Sequence, residues 1–233
     1  MTENDQQQDI RHATVRSFID GLATHHQTSE VLGLLGTSDA WIMSRPQQDH
    51  SRTLVILTAE QSRARQLVTD LQFFHPRTSQ VRLLPHWEIG PYDPLTPHPE
   101  LEATRLSTLA ALDQGQVGCL VLSLRALMQK TIPRTVLSEL CLTLIAEEEY
   151  PRPELLTTLQ HLGYQAVPLV EERGSFAVRG DILDIFPPSH SRPVRIEFFG
   201  DYIERMRPFD PQTQRSAETE LAELTLLPAR EIV

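Results

Sequence analysis

Apolar positions along the 233-residue chain follow two different rhythms. In ATVRSFIDGLATHHQ (13–27), Val15, Phe18, Ile19 and Leu22 recur at helical spacing and predict an amphipathic helix. Short continuous apolar runs then alternate with helical segments. VLGLL (31–35) precedes a short segment, TLVIL (53–57) precedes EQSRARQLVTDLQFF, and QVRLL (80–84) precedes a proline-rich stretch. The helical ELEATRLSTLAAL (100–112) leads into CLVLS (119–123). Uninterrupted β runs separated by helices predict a parallel α/β sheet covered by helices on its faces.

Near residue 130 the rhythm changes. VLSELCLTLI (136–145) reads as a strand, and PRPELLTTLQHLGY (151–164) as a helix with Gly163 near its end. Shorter strand candidates follow: AVPLVE, SFAVRGDILDIFP, VRIEFFG and YIERMRPFD. The pairs Gly180-Asp181 and Gly200-Asp201 separate alternating runs, which is a hairpin signal. The fold class expected is therefore an α/β unit with a parallel sheet over residues 1–130. A smaller α+β, mostly antiparallel unit is expected over 131–215. Residues 216–233 would begin a further, truncated segment, since LAELTLLPAREIV reads as a strand entering something absent.

Composition narrows the function classes. Forty per cent hydrophobic and 22% charged residues are ordinary globular values. No apolar run approaches the ~20 residues that cross a bilayer, and the opening MTENDQQQDIRH resembles no leader peptide. Cys119 and Cys141 lack CxxC spacing and read as buried thiols of a reducing cytoplasm. A formal charge of −10 argues against a dedicated nucleic-acid binder, although a local basic patch remains compatible with it. Cations are arginines apart from Lys130.

GLLGTSDA (33–40) stands where a phosphate-binding loop would stand in such a fold. Laid on G-x-x-x-x-G-K-[ST], Gly33 matches, but Ser38 replaces the second glycine, Asp39 the lysine and Ala40 the hydroxyl residue. A carboxylate repels phosphate and an alanine ligates no metal, so neither nucleotide nor metal cofactor is expected here. Gly33, Gly36, Asp39 and Ala40 are thus either a disabled nucleotide loop or a plain turn. Glu147-Glu148-Glu149 and Glu171-Glu172 read as solvated faces, because no histidine stands at ligand spacing beside them. The scattered His25, His26, His75, His86 and His98 form no metal motif. Trp87 reads either as a base-stacking platform or as part of a loop packed over the sheet.

RGSFAVRGDILDIFPPSHSRPVRIEFFGDYIERMRPFDPQTQRS (173–216) closely resembles the interaction domain shared by the excinuclease protein UvrB and the bacterial transcription-repair coupling factors. LPHWEIGPYDPLTPHPELEATRLSTLAAL and VLSLRALMQK resemble the coupling-factor N-terminal segment. The changed loop at 33–40 and Ala177 fit the coupling-factor type better than UvrB, which keeps an intact nucleotide loop, so the resemblance implies that residues 1–130 are a degenerate helicase-like α/β domain with a disabled nucleotide loop. The resemblance implies a non-catalytic module that docks the excinuclease protein UvrA and, in a longer parent, packs against C-terminal domains. DNA contact would be weak or indirect. The alternative is a DNA-dependent ATPase or DNA-binding module related to UvrB.

The resemblance also implies candidate contacts. Arg179 matches the arginine that the family presents to UvrA, with an internal ion pair to Asp181 or Asp184 as the competing reading. Arg173 is a second candidate. Phe176 is kept as a third, although its alternation with polar neighbours, like that of Phe186, favours packing inside. Relatives often carry another arginine just after the position of Tyr164, where this chain has Gln165 and Ala166. Arg105 reads as a structural ion pair rather than a phosphate contact.

Overall fold

The computed structural model of the chain describes residues 18–19, 30–45, 52–90 and 97–231. Apart from Phe18 and Ile19, the helix expected over 13–27 lies outside the described residues. Two sheets organise the rest, with a two-stranded ribbon between them.

The first sheet is parallel, as its apolar runs predict. Strand β1 (Leu54–Thr58) and strand β2 (Val81–Leu84) flank β3 (Cys119–Ser123), in the order β1-β3-β2. Helix α1 (Ser38–Ser44) precedes β1, and helix α2 (Gln61–Phe74) follows it. Ala64, Leu67 and Leu71 of α2 pack against Ile56, Val81, Cys119 and Val121 on one face. Helix α3 (Pro99–Asp113) covers the other face. There Ala111 meets Leu84, Leu120 and Leu122, with Ala126 of the short helix α4 (Leu124–Met128) completing the cluster. Pro99 and the first-turn Glu100 and Glu102 suit the positive end of α3, and His98 caps it by accepting from Glu100 N at 3.2 Å.

VLGLL departs from expectation. Residues 30–35 belong to no strand, and Leu35 is 84% exposed. Gly33 turns the chain at φ 78°, which breaks the extended run, and no described strand pairs with it. An apolar run alone does not make a strand without a partner.

A second correction concerns VLSELCLTLI. Its first half belongs to helix α5 (Arg134–Glu139), launched by Pro133, and only Leu142–Ile145 forms strand β4. Leu137 enters the core from the helix and Leu144 from the strand, so one apolar run serves two elements.

Helix α6 (Arg152–His161) ends before Gly163, whose φ of 83° permits the reversal into β5 (Gln165–Ala166). AVPLVE contributes only the second residue of that short strand. Strands β6 (Ser175–Arg179), β7 (Ile182–Ile185), β8 (Val194–Phe199) and β9 (Tyr202–Pro208) complete a five-stranded sheet in sequential order. It is antiparallel except for the β5–β6 pair. Gly180 (φ 58°) and Gly200 (φ 66°) each open a two-residue turn, as the Gly-Asp pairs predict.

Strand β10 (Glu223–Leu226) finds its partner inside the chain, pairing antiparallel with β4. Beyond it Leu227 packs with Leu106, Ala110 and Leu137, and Glu231 reaches the buried Arg105. The last described residues therefore tie the second sheet to helix α3 of the first.

Cys119 is fully buried, and burial pushes its thiol up to about 11. Cys141 is half-buried, donates to Leu137 O at 3.1 Å and is also pushed up, chiefly by burial and then by Asp113. Both effects suppress the reactive thiolate. Iodoacetamide at pH 8 is expected to leave Cys119 unmodified until the protein unfolds. Rapid native-state labelling of Cys119 would contradict this packing.

Candidate protein-docking face

Strand alternation divides the five-stranded sheet into two unlike faces. On one, Phe176, Leu183, Ile185, Val194, Ile196, Ile203 and Met206 pack beneath Leu155 and Leu159 of α6. On the other, cross-strand register aligns Ala177, Asp184, Arg195 and Arg207 in one row, and Arg179, Ile182, Glu197 and Arg205 in the next. This second face is where polar side chains meet solvent.

Asp184 is the hub of the first row. Its side chain is 0% exposed, yet it is ionically satisfied by two arginines. Arg195 grips it with Nε to Oδ1 at 2.7 Å and Nη2 to Oδ2 at 3.0 Å, the planar fork that only arginine offers. That pairing raises the Arg195 pKa, against the opposing effect of burial. Arg195 also donates to Gln214 O at 3.2 Å and lies over the Phe209 ring at 4.9 Å. Arg179 adds Nη2 to Asp184 from the open side, with its side chain 44% exposed. Its Nε and Nη1 make no hydrogen bond among the described residues.

Glu197 plays a similar part in the second row. It accepts from Arg207 and lies 3.6 Å from Arg205, which also approaches Glu204 at 3.5 Å. Four guanidiniums thus stand against Asp184, Glu197 and Glu204, a local positive excess in a chain of net charge −10. A bulge between Glu197 and Phe198 re-aims the end of the β8–β9 hairpin. Ile203 consequently stays in the core, while Phe199 and Tyr202 pair on the charged face, with Phe199 81% exposed. The opposite end of this face is closed by a small cluster of Val170, Ala177, Phe186 and Phe209.

Arg179 pairs internally with Asp184, the competing reading of the sequence, and its side chain stays 44% exposed. Arg173 sits elsewhere. It pairs with Glu100 of α3 at 3.0 Å, lies over Phe186 at 5.2 Å and lines a cleft of about 920 Å³ between the two sheets, beside Trp87, Lys130 and Gln165. Phe176 is corrected: at 3% exposure it belongs to the core on the opposite face and offers nothing to a partner. Gln165 and Ala166 are exposed on edge strand β5, and neighbouring Tyr164 is buried with its hydroxyl donating to Leu227 O at 2.8 Å.

The stretch 33–40 is a turn that leads into α1. Gly33 and Gly36 (φ 61°) shape the turn with open space around them. Asp39 accepts from Ala40 N at 2.7 Å and pairs with Arg63. Ala40, where a metal-ligating hydroxyl would stand, is packed against α2. Trp87 is part of a packed loop: its ring lies 4.6 Å from the Arg105 guanidinium, which pairs with Glu231 as the ion-pair reading requires. Among the described residues no three His, Cys, Asp or Glu side chains are placed to hold a metal. No described helix is long and apolar enough to cross a membrane.

The sequence does not single out Asp184, Arg195, Glu197, Arg205, Arg207 or Phe199 as members of one face. The signal it does carry is parity: in VRIEFFG and YIERMRP the charges fall on alternate positions opposite the apolar ones. Which cross-strand partners those charges meet depends on register and on the bulge, which parity alone does not specify.

The residues of this face fall within the span of a family-model match. Residues 142–232 match the family model of the UvrB interaction domain. The chain is 39% identical over 207 residues to a transcription-repair-coupling factor of Myxococcus xanthus, covering 86% of this chain and 17% of that protein. Similar matches reach the transcription-repair-coupling factors of Escherichia coli (34% over 198 residues, 85% of this chain and 17% of that protein) and Bacillus subtilis (27% over 218 residues, 94% and 18%). The chain thus spans about a sixth of the length of these relatives.

Proposed function

We propose that this chain, whose residues 142–232 match the family model of the UvrB interaction domain, is a docking module of transcription-coupled nucleotide excision repair that binds UvrA. The observation that carries the reading is the charged face of the sheet. Arg179, Arg205 and Arg207 are held from one side by carboxylates and keep donors for carboxylates and carbonyls of a partner. Side chains fixed in this way lose little conformational freedom on binding.

The unit from residue 131 onward does the docking, and the α/β unit before it serves as a platform. Support for this division lies in the shift from a parallel to an antiparallel sheet. The module itself is non-catalytic. Its loop at 33–40 descends from a nucleotide-binding loop in which Asp39, paired with Arg63, stands where a lysine would meet the phosphates. Titration with Mg·ATP is expected to give no heat of binding up to millimolar nucleotide, and micromolar affinity would refute the disabled loop.

The docking reading is tested by titrating the chain with the cognate UvrA in a calorimeter. Saturable one-to-one binding that weakens when Arg179 is replaced supports it. Absence of binding at tens of micromolar would overturn it.

A further inference from the structure

The β8–β9 hairpin ends in a large apolar side chain that the fold leaves uncovered. Phe199 is 81% exposed, and its cross-strand partner Tyr202 is 37% exposed. A flexible tip would explain such exposure trivially, but this tip is braced on several sides. Tyr150 N donates to Asp201 O at 2.7 Å, and Arg152 N donates to Asp201 Oδ1 at 3.0 Å. The Arg152 side chain also holds Gly180 O and lies 3.5 Å from Asp181, its guanidinium over the Phe198 ring at 5.6 Å. One arginine thereby staples both hairpin turns to the start of α6. Phe199 follows the alternation of Arg195 and Glu197 along β8 onto the arginine face, and the braced turn holds it there, while Phe198 is buried.

Exposed aromatics beside arginines have the composition of binding hot spots, and rigid side chains with two torsions lose little entropy when covered. We infer that Phe199, with Tyr202 beside it, is an aromatic anchor that inserts into an apolar pocket of a protein partner, a pocket bordered by carboxylates that meet Arg205 and Arg179. The occupant follows from the donors on this face: Arg179 and Arg205 are each held by a carboxylate on one side and keep further N–H groups toward solvent, which selects a protein surface that offers carboxylates. Arg152 is the positioning residue for the anchor. This inference rests on the docking reading above and specifies the pocket chemistry that the partner must offer.

The test compares Phe199→Ala with Phe73→Ala in the full chain, titrated against UvrA. Phe73 is equally exposed, at 84%, but lies on α2 away from this face. Phe199→Ala is expected to weaken binding about thirtyfold with an unchanged melting temperature, and Phe73→Ala to leave binding unchanged. Arg152→Ala should weaken binding by a smaller factor, through loss of the brace. Wild-type affinity in Phe199→Ala, alongside weakened binding in Arg179→Ala, would overturn the anchor while leaving the docking reading intact. Failure of the wild-type chain to bind would overturn both. Sedimentation showing a dimer that Phe199→Ala dissociates would assign the anchor to a second copy of this chain and overturn the inference as stated.

Discussion

Replacing Glu231 by alanine is expected to lower the unfolding free energy by about 3–5 kcal/mol, because it strands a charge in the protein interior. Arg105 is fully buried and spends its guanidinium on three bonds. Nε donates to Glu231 Oε2 at 2.5 Å, Nη2 to Oε1 at 2.9 Å and Nη1 to Pro85 O at 2.6 Å. Trp87 closes one side of it, and Ile132 N donates to Glu231 Oε1 at 3.3 Å. Nearby Glu102 is also buried, and burial raises its pKa, so it is a poor substitute anion for Arg105.

In a protein of this size the loss corresponds to a fall in Tm of roughly 10 °C. Arg105→Met should cost a similar amount by leaving Glu231 uncompensated. The double variant Arg105→Met/Glu231→Leu should recover much of the loss, since paired buried charges contribute little net stability over a packed apolar pair. Denaturant titration of the wild type, Arg105→Met, Glu231→Leu and the double variant measures the coupling. Single variants that lose less than about 1 kcal/mol would show that solvent reaches the pair after all.

The second large effect is on binding. Arg179→Ala is expected to weaken the complex with UvrA by about thirtyfold or more, the cost of removing a charged hydrogen-bond donor from an interface. Its effect on folding should stay within about 1 kcal/mol, because the pair is half-exposed and Asp184 keeps the bidentate grip of Arg195. Arg179→Lys should restore only part of the affinity, since an ammonium cannot bond Asp184 and a partner carboxylate in one plane. Measuring Kd and Tm together separates an anchor from a purely internal pair. A well-folded Arg179→Ala protein with wild-type affinity would leave Arg179 only its structural role.

The hub residue gives the converse pattern. Asp184→Ala leaves Arg195 without its partner in the interior, so it should unfold the sheet face rather than merely weaken binding. Substitutions at Arg179 and at Asp184 therefore distinguish the donor that meets the partner from the carboxylate that holds it.

Much of the fold is legible in the sequence because its signals are local. Unbroken apolar runs such as CLVLS announce strands buried on both faces, and Gly180-Asp181 and Gly200-Asp201 announce tight turns, since glycine tolerates the positive φ those turns need. The ion pair of Arg105 is legible as a tendency, but not the identity of Glu231, which lies 126 residues away. VLGLL and VLSELCLTLI mislead for a common reason: an apolar run records burial or its potential, not the partner that decides between strand, helix and exposed turn.

The sequence by itself determined where most elements of the second sheet lie and which of its positions alternate inward and outward. Those features depend on residue identity and on spacings of two to four positions. Only the tertiary structure decided that Asp184 joins Arg179 to Arg195, that Glu197 meets Arg205 and Arg207, and that a bulge in β9 keeps Ile203 in the core. These depend on cross-strand register, and a shift of one residue would move every side chain to the other face.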